Sequence, residues 1–262
     1  MSVSSSSKTK MEVRPIKTRI FKERENLVDF IVAHIPRVKE GTIIVVTSKI
    51  VALAEGRTLE IEDEMTREKA IKQESDFAIR TMYTWLTLKD GLLMSSAGID
   101  ESNADGKLIL LPKDSFKTAS VLLRELKKRY RVKKLGVLIT DSRVLALRAG
   151  AVGVSMGYAG FRGIKDYRGT PDMFGRTMKI SRSNIPDALS SAAVLVMGEG
   201  DERQPLAVVT GLPVEFVERT QRKELVIPPE HDMYRPFFEE VKKKNRGKTI
   251  EPYKRPAPRR KR

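Results

Sequence analysis

Leu27, Phe30, Ile31, His34 and Ile35 recur at the three- and four-residue spacing that gathers side chains on one face of a helix, and Gly41 then precedes the β-branched run Thr42 to Thr47. That order predicts helix, turn, buried strand. A second helix is expected from about Thr66 to Leu88, with Ala70, Phe77, Ala78, Met82 and Leu86 as its apolar face. A third follows Pro112, capped by Asp114 or Ser115, with the core stripe Ala119, Leu122, Leu123 and Leu126 and with Lys127 to Arg131 placing cations at its negative end. Leu135 to Thr140 is a short apolar run that stops at Asp141 and Ser142. A buried strand ending so delivers polar residues to a site at its carboxyl end.

Beyond it the pattern changes. Gly150, Gly153, Gly157, Gly160, Gly163, Gly169 and Gly175 fall within 26 residues among small and β-branched neighbours, which predicts bulged strands and close backbone approach. A helix resumes at Asn184 with Pro186 in its first turn and small residues from Ala188 to Ala193, and Leu206 to Thr210 reads as a strand. The fold class is therefore α+β, with mixed sheets and no βαβ alternation of the Rossmann or P-loop kind.

Composition narrows the chemistry. The 262 residues suit one large domain or two small ones, and no run of 18 apolar residues or secretory leader is evident, so a cytoplasmic protein away from membranes is expected. With no cysteine, a metal must be held by oxygen or by one of two histidines, which favours magnesium or manganese. His34, on an apolar helix face, and His231, beside a Pro-Pro pair, read as structural. The net charge of +16 sits largely at the end: eleven Lys or Arg from Val241 to Arg262 against the single acid Glu251 give +10, leaving +6 elsewhere. Residues 1–12 read as a flexible leader, 13–215 as the main domain with a glycine-rich part at about 143–180, 216–240 as an extension and 241–262 as a basic disordered tail that suits RNA contact or solubility.

Gly247-Lys248-Thr249 lacks the earlier glycine and the preceding strand of a P-loop, and no G-x-S-x-G elbow occurs. Three acidic loops remain. Ser96-Ala97-Gly98-Ile99-Asp100-Glu101-Ser102-Asn103 offers a carboxylate for a hard cation and an amide for a nucleotide, although read alone it is ordinary turn chemistry. Thr140-Asp141-Ser142 puts a carboxylate and a hydroxyl together, and Met197-Gly198-Glu199-Gly200-Asp201-Glu202 puts three acids beside glycines.

Together with Val46-Thr47-Ser48-Lys49-Ile50-Val51, Ala54-Glu55-Gly56-Arg57, Leu111-Pro112, Gly157-Tyr158-Ala159-Gly160, Asp166-Tyr167-Arg168-Gly169 and Asp172-Met173-Phe174-Gly175-Arg176, these segments resemble the coenzyme F420-0:L-glutamate ligases, the chain reading as a divergent, bacterial-type member over about Val13 to Leu212. The resemblance implies a homodimeric γ-glutamyl ligase with that family's own α+β fold, GTP as cosubstrate (ATP being possible) and two divalent cations, Mg2+ or Mn2+. It implies Asp100 and Asp141 as ligands of one ion and Ser142 and Glu199 of the other. Ser48, Lys49, Asn103 and the loop from Met197 through Gly198, Gly200, Asp201 and Glu202 to Gln204 are implied as nucleotide contacts. Arg168 and Arg176 are expected at substrate carboxylates, since guanidinium suits bidentate recognition, and Arg148 and Arg162 are further candidates.

The chain departs from the family pattern at Pro15-Ile16-Lys17-Thr18-Arg19, at Ser142 followed by Val144-Leu145-Ala146-Leu147, and at Asp187-Ala188, where a second acid is usual. Those changes bear on the acceptor more than on the ions. The acceptor is therefore open between the deazaflavin F420-0 and another molecule ending in glutamate, such as a folate. A reading from another class is a non-catalytic RNA-binding module that uses the basic tail. Tyr158, Phe161, Tyr167 and Phe174 are expected to pack in the core or a pocket rather than stack on bases.

Overall fold

The computed structural model describes residues 10–61 and 63–236. In chain order the elements are β1 (Glu12–Ile16), α1 (Leu27–His34), β2 (Thr42–Thr47), α2 (Ser48–Ala54), β3 (Thr58–Glu60), α3 (Glu64–Gln73), β4 (Phe77–Arg80), β5 (Trp85–Lys89), β6 (Leu92–Ser95), β7 (Lys107–Ile109), α4 (Ser115–Tyr130), β8 (Leu135–Val144), β9 (Ala151–Ala159), β10 (Ile164–Asp166), β11 (Arg182–Asn184), α5 (Ile185–Met197) and β12 (Leu206–Thr210). The expected basic tail at 241–262 lies outside the described residues, as does most of the expected leader, whose last residue, Glu12, already opens β1. Two compact units form, one from the chain up to Glu60 with Asp100–Leu225, the other from Ile61–Ile99 with the segment from Val226 onward. The glycine-rich stretch belongs to the first.

The first unit is built on a five-stranded sheet in the order β1-β12-β2-β8-β9, in which only the β2–β8 pair is parallel. β2 is buried at every position from Thr42 to Val46, as its unbroken β-branched run requires of a central strand covered on both faces. Ile43, Val45, Leu138, Tyr158, Ala207 and Val209 of the sheet pack with Leu189 and Ala193 of α5 and with Phe161. The glycines permit this packing. A Cβ on Gly153 would lie 2.1 Å from the Ser190 carbonyl oxygen of α5, and one on Gly157 would lie 2.6 Å from the backbone of Ser115 at the start of α4. The pairing of β8 with β9 slips at Ile139/Thr140, so the expected bulge is present. Tyr158 and Phe161 are fully buried, with ring centroids 5.1 Å apart. Phe174 is instead 88% exposed, contrary to the expectation that it packs.

Capping follows the sequence closely. Asp114 accepts from the Lys117 amide at 3.0 Å and Asn184 from the Asp187 amide at 3.1 Å, so α4 and α5 begin where their side-chain caps dictate. The expected apolar stripe of α4 is buried, and Arg131 closes the helix in a left-handed conformation. His34 is structural as expected, with Nδ1 2.8 Å from the Phe30 carbonyl oxygen.

Two expectations are corrected. The helix predicted over Thr66–Leu88 is α3 followed by two strands of the second unit's antiparallel sheet, β4-β5-β6. Phe77 faces Leu88 and Ile79 faces Leu86 as cross-strand pairs, and Phe77 and Leu86 are 55% and 44% exposed rather than core. The helical spacing of these apolar residues was coincident with alternation, and aromatic and β-branched residues favour the strand. Thr81 fixes the turn by accepting from the Thr84 amide at 3.1 Å, and Asp90-Gly91, both at positive φ, makes the β5–β6 hairpin. The second correction concerns β8, which does not stop at Asp141 and Ser142 but continues to Val144 against β9. What ends at Thr140 is its parallel pairing with β2, because β2 turns there into α2.

Candidate functional site

That divergence of β2 and β8 creates the site. Thr47 and Thr140 are the last parallel partners, so the next residues, Ser48 at the start of α2 and Asp141 on β8, emerge side by side, and the Ser48 hydroxyl donates to Asp141 Oδ1 at 3.1 Å. Asp141 keeps some accessible surface, but its carboxyl is enclosed by protein. Burial pushes its pKa up; the Arg143 charge, the Ser48 hydroxyl and the Ser142 amide pull it down, and the Asp100 charge pushes it up further. Asp100 and Asp141 are thus near enough to repel each other.

Asp100 enters from a loop whose ends are held together, its amide donating to the Ile109 carbonyl at 3.0 Å and its carbonyl accepting from the Ile109 amide at 2.8 Å. Within this loop Asn103 and Asp105 adopt left-handed φ angles of 53° and 50°, which their short side chains tolerate. Lys49, one residue beyond Ser48, reaches across with Nζ 2.7 Å from Asp100 Oδ2, 2.8 Å from the Ser102 carbonyl and 3.0 Å from Ser102 Oγ. Burial pushes the Asp100 carboxyl up, but the Lys49 ammonium and the Ser102 amide, at 2.7 Å, outweigh it and hold the group below the usual carboxylate range.

The third segment follows α5. The Ser142 hydroxyl donates to Glu199 Oε2 at 3.0 Å, and the Asn103 side-chain amide donates to the Gly200 carbonyl at 3.3 Å. The contacts therefore close a ring, from the Asp100 loop through Lys49 and Ser48 to Asp141 and Ser142, on to Glu199 and Gly200, and back through Asn103. Gly198 has φ +83°, and a Cβ there would meet the Glu202 carboxylate at 2.3 Å. Glu202 accepts from the Gly200 amide at 2.8 Å, so it holds its own loop. The Met197 side chain is buried in the core while its carbonyl accepts from Gln204 Nε2 at 3.3 Å, and Asp201 is exposed. Among the described residues no three His, Asp or Glu side chains converge on a single point. The donors instead fall into two adjoining pairs, Asp100 with Asp141 and Ser142 with Glu199.

Arg168 and Arg176 are not in this ring. The Arg168 guanidinium bonds both oxygens of Asp166, with Nε at 2.9 and 3.0 Å, Arg162 pairs with Glu215 at 2.7 Å, and the Arg176 amide donates to Asp172 at 2.9 Å. Two contributors escaped the sequence reading. Ser102 had a signal, since Asp-x-Ser is the pattern of an Asx turn. Arg143 stands two residues after Asp141 on the same strand, with its side chain buried and one nitrogen 3.0 Å from Met156 Sδ.

The sequence model of the family described as F420-0:Gamma-glutamyl ligase matches residues 15–211, which include every residue of the ring. The chain is 30% identical over 247 residues to the coenzyme F420:L-glutamate ligase of Methanocaldococcus jannaschii, covering 87% of this chain and 98% of that protein. It is 34% identical over 216 residues to the enzyme of the same name from Methanothermobacter thermautotrophicus, covering 75% and 85%. With that of Methanopyrus kandleri the identity is 30% over 227 residues, covering 78% and 90%. A match spanning most of the chain, through all three acidic loops, means that this protein belongs to the F420-0:gamma-glutamyl ligase family of ligases.

Proposed function

We propose that the protein joins L-glutamate to a carboxylate acceptor of the F420-0 type through a γ-glutamyl amide, with GTP as the driving cosubstrate and two Mg2+ or Mn2+ ions at the paired donors. The observation that carries this reading is the closed ring: segments far apart in sequence bring carboxylate and hydroxyl oxygens, one lysine and one amide into a single connected set of contacts. The donor set fits hard cations. An enclosed Asp141 carboxyl beside the negative Asp100 is a costly arrangement that the Arg143 charge offsets only in part, since burial still pushes the group up, and Lys49 pairs with Asp100. Two protein ligands per ion suit magnesium, which takes one or two carboxylates and completes its shell with water and phosphate oxygens. Bound there, such ions would neutralise triphosphate charge and hold it for in-line transfer.

The chain's own part is positioning. Lys49 adds a point charge at the phosphates, Asn103 and the Gly198–Gly200 backbone offer amides, and Ser48 orients Asp141. An acceptor carboxylate oxygen attacks the γ-phosphorus as the bond to GDP breaks, giving an acyl phosphate. The glutamate amine then attacks the acyl carbon, phosphate departs with the bonding electrons, and the amine loses a proton. No protein nucleophile is needed in either step. Arg168 could meet a substrate carboxylate only by exchanging Asp166 for it, whereas Arg176 is exposed and its guanidinium is free among the described residues. Pairing into a homodimer is part of this proposal.

The test is incubation of the purified full chain with glutamate, GTP or ATP, Mn2+ and either F420-0 or a folate, followed by mass analysis. Addition of glutamyl units to F420-0 with GTP supports the reading. Addition only to folate transfers the chemistry to the folylpolyglutamate alternative, and addition to neither, in protein that binds RNA, supports the non-catalytic one.

A further inference from the structure

A groove of about 580 Å³ lies between α4 and the segment after β12, away from the ring of loop residues. Ser120, Arg124 and Lys127 line it from the helix, Glu218 and Arg219 from the opposite segment, and buried Leu123 forms its apolar floor. Ala159 also borders it. Ala159 pairs with Val137 whereas Asp141 pairs with Val154, so five residues of β9 separate groove and ring, about 17 Å at the usual rise of a strand.

The charges in this groove have no internal explanation. Residues 113–134 carry nine Lys or Arg against Asp114 and Glu125, a surplus of seven. Many of these cations are accounted for: Arg129 bonds Asp29 at 2.5 Å, Lys128 approaches Glu125 at 3.8 Å, and Arg222 from the opposite segment bonds Asp114 at 2.7 Å. Lys127 and Arg219 are not. Neither makes an ion pair or side-chain hydrogen bond among the described residues, although Lys127 is half-buried. Arg124 leans only on its neighbour Glu125, at 3.1 Å. Arg124 and Lys127, on one helix face, and Arg219 from across the groove carry like charge, a mild repulsion that an anion between them would relieve.

We propose that this groove binds a small phosphate ester bearing hydroxyl groups. Three cations lining one groove exceed what a single carboxylate needs and suit a phosphate, which an arginine fork and a lysine point charge recognise together. Glu218 is an acceptor at the same groove, and a carboxylate there would select a ligand with hydroxyl donors, as on a sugar. The volume is that of a small-molecule site. No aromatic side chain is among its described lining residues, so it lacks the stacking platform by which single-stranded nucleic acid is held. The proposal stands apart from the ligase reading, since it uses none of the ring residues.

The experiment is titration of the full chain with ribose 5-phosphate and with inorganic phosphate in EDTA, followed by backbone amide NMR. Without divalent ions the ring sets two carboxylate-bearing loops against an anion, and its one lysine is already paired with Asp100. Saturable shifts confined to residues about Arg124, Lys127 and Arg219, with ribose 5-phosphate binding more tightly than phosphate, are expected. The double variant K127A/R219A should weaken binding by about tenfold or more, since each charge-assisted bond accounts for roughly that factor. S120E, which places an acid in the groove wall without deleting either cation, should weaken it as well, and D141N should leave it unchanged. Absence of saturable shifts with both probes, shifts that survive K127A/R219A in a protein of unchanged melting temperature, or an RNA oligonucleotide that displaces ribose 5-phosphate and shifts residues all along α4 would each overturn the proposal.

Discussion

The Ser48 hydroxyl donates to the Asp141 carboxylate at 3.1 Å across 93 residues of sequence, because these are the first residues after the paired strands β2 and β8 part. Removing that bond by S48A leaves the enclosed carboxylate without its hydroxyl donor and free to turn. The expected result is a loss of about ten- to a hundredfold in apparent Mn2+ affinity or in ligation rate, as for other groups that orient a metal ligand. Steady-state rates against Mn2+ concentration measure it, and D141N should lose about a hundredfold or more in rate at any concentration.

Glu202 and Gly198 form one device. A side chain at Gly198 meets a positive φ and displaces the Glu202 carboxylate, 2.3 Å from its Cβ, from the Gly200 amide, so G198A strains the loop that carries Glu199. Its kcat/KM should fall by about tenfold or more while the melting temperature falls only a few degrees, the site being at the surface. E202A releases the Gly200 amide and should give a smaller loss of the same kind. A G198A protein with wild-type kinetics would show that the loop's path is immaterial.

Gly153 tests the scaffold rather than the site. A methyl group there would stand 2.1 Å from the Ser190 carbonyl, and α5 has to shift to admit it. Overpacking of this kind costs about 1–3 kcal/mol or more, so chemical denaturation of G153A should show a lower midpoint with an unchanged slope.

Alkaline stability follows from Tyr130. Its hydroxyl donates to the Ile35 carbonyl at 2.5 Å, and burial pushes its pKa up from 10 to about 12. The folded state therefore resists an ionisation that the unfolded chain accepts. The stability this group lends is complete below pH 10 and is lost as pH rises toward about 12. Y130F should begin less stable at neutral pH, having lost the hydrogen bond, and decline less steeply between pH 10 and 12. Melting temperatures of both proteins across that range check the difference in slope.

The sequence disclosed most of the first unit because its signals were redundant. A buried run such as Thr42–Val46, a capped helix such as Ser115–Tyr130 and the glycines at 153 and 157 each imply one local structure. The segment from Phe77 to Leu88 did not, since its apolar residues satisfy both helical and alternating spacing, and the signal that favours strands, the Asp90-Gly91 hairpin turn, lies just beyond it. The three acidic loops were legible as motifs, yet their convergence was not, because it depends on the register that sets Thr47 against Thr140. The Lys49 bonds to Asp100 and Ser102, the inward turn of Glu202 and the buried Arg143 are likewise properties of packed neighbours, which no linear pattern encodes.

Crystals of the full chain soaked with GTP and Mn2+, examined by anomalous scattering at the manganese edge, test the central claim most directly. The account predicts two peaks, one bonded to Asp100 and Asp141 and the other to Ser142 and Glu199, both touching phosphate oxygens. Manganese bound elsewhere, or a nucleotide seated without any ion at these four residues, would contradict it.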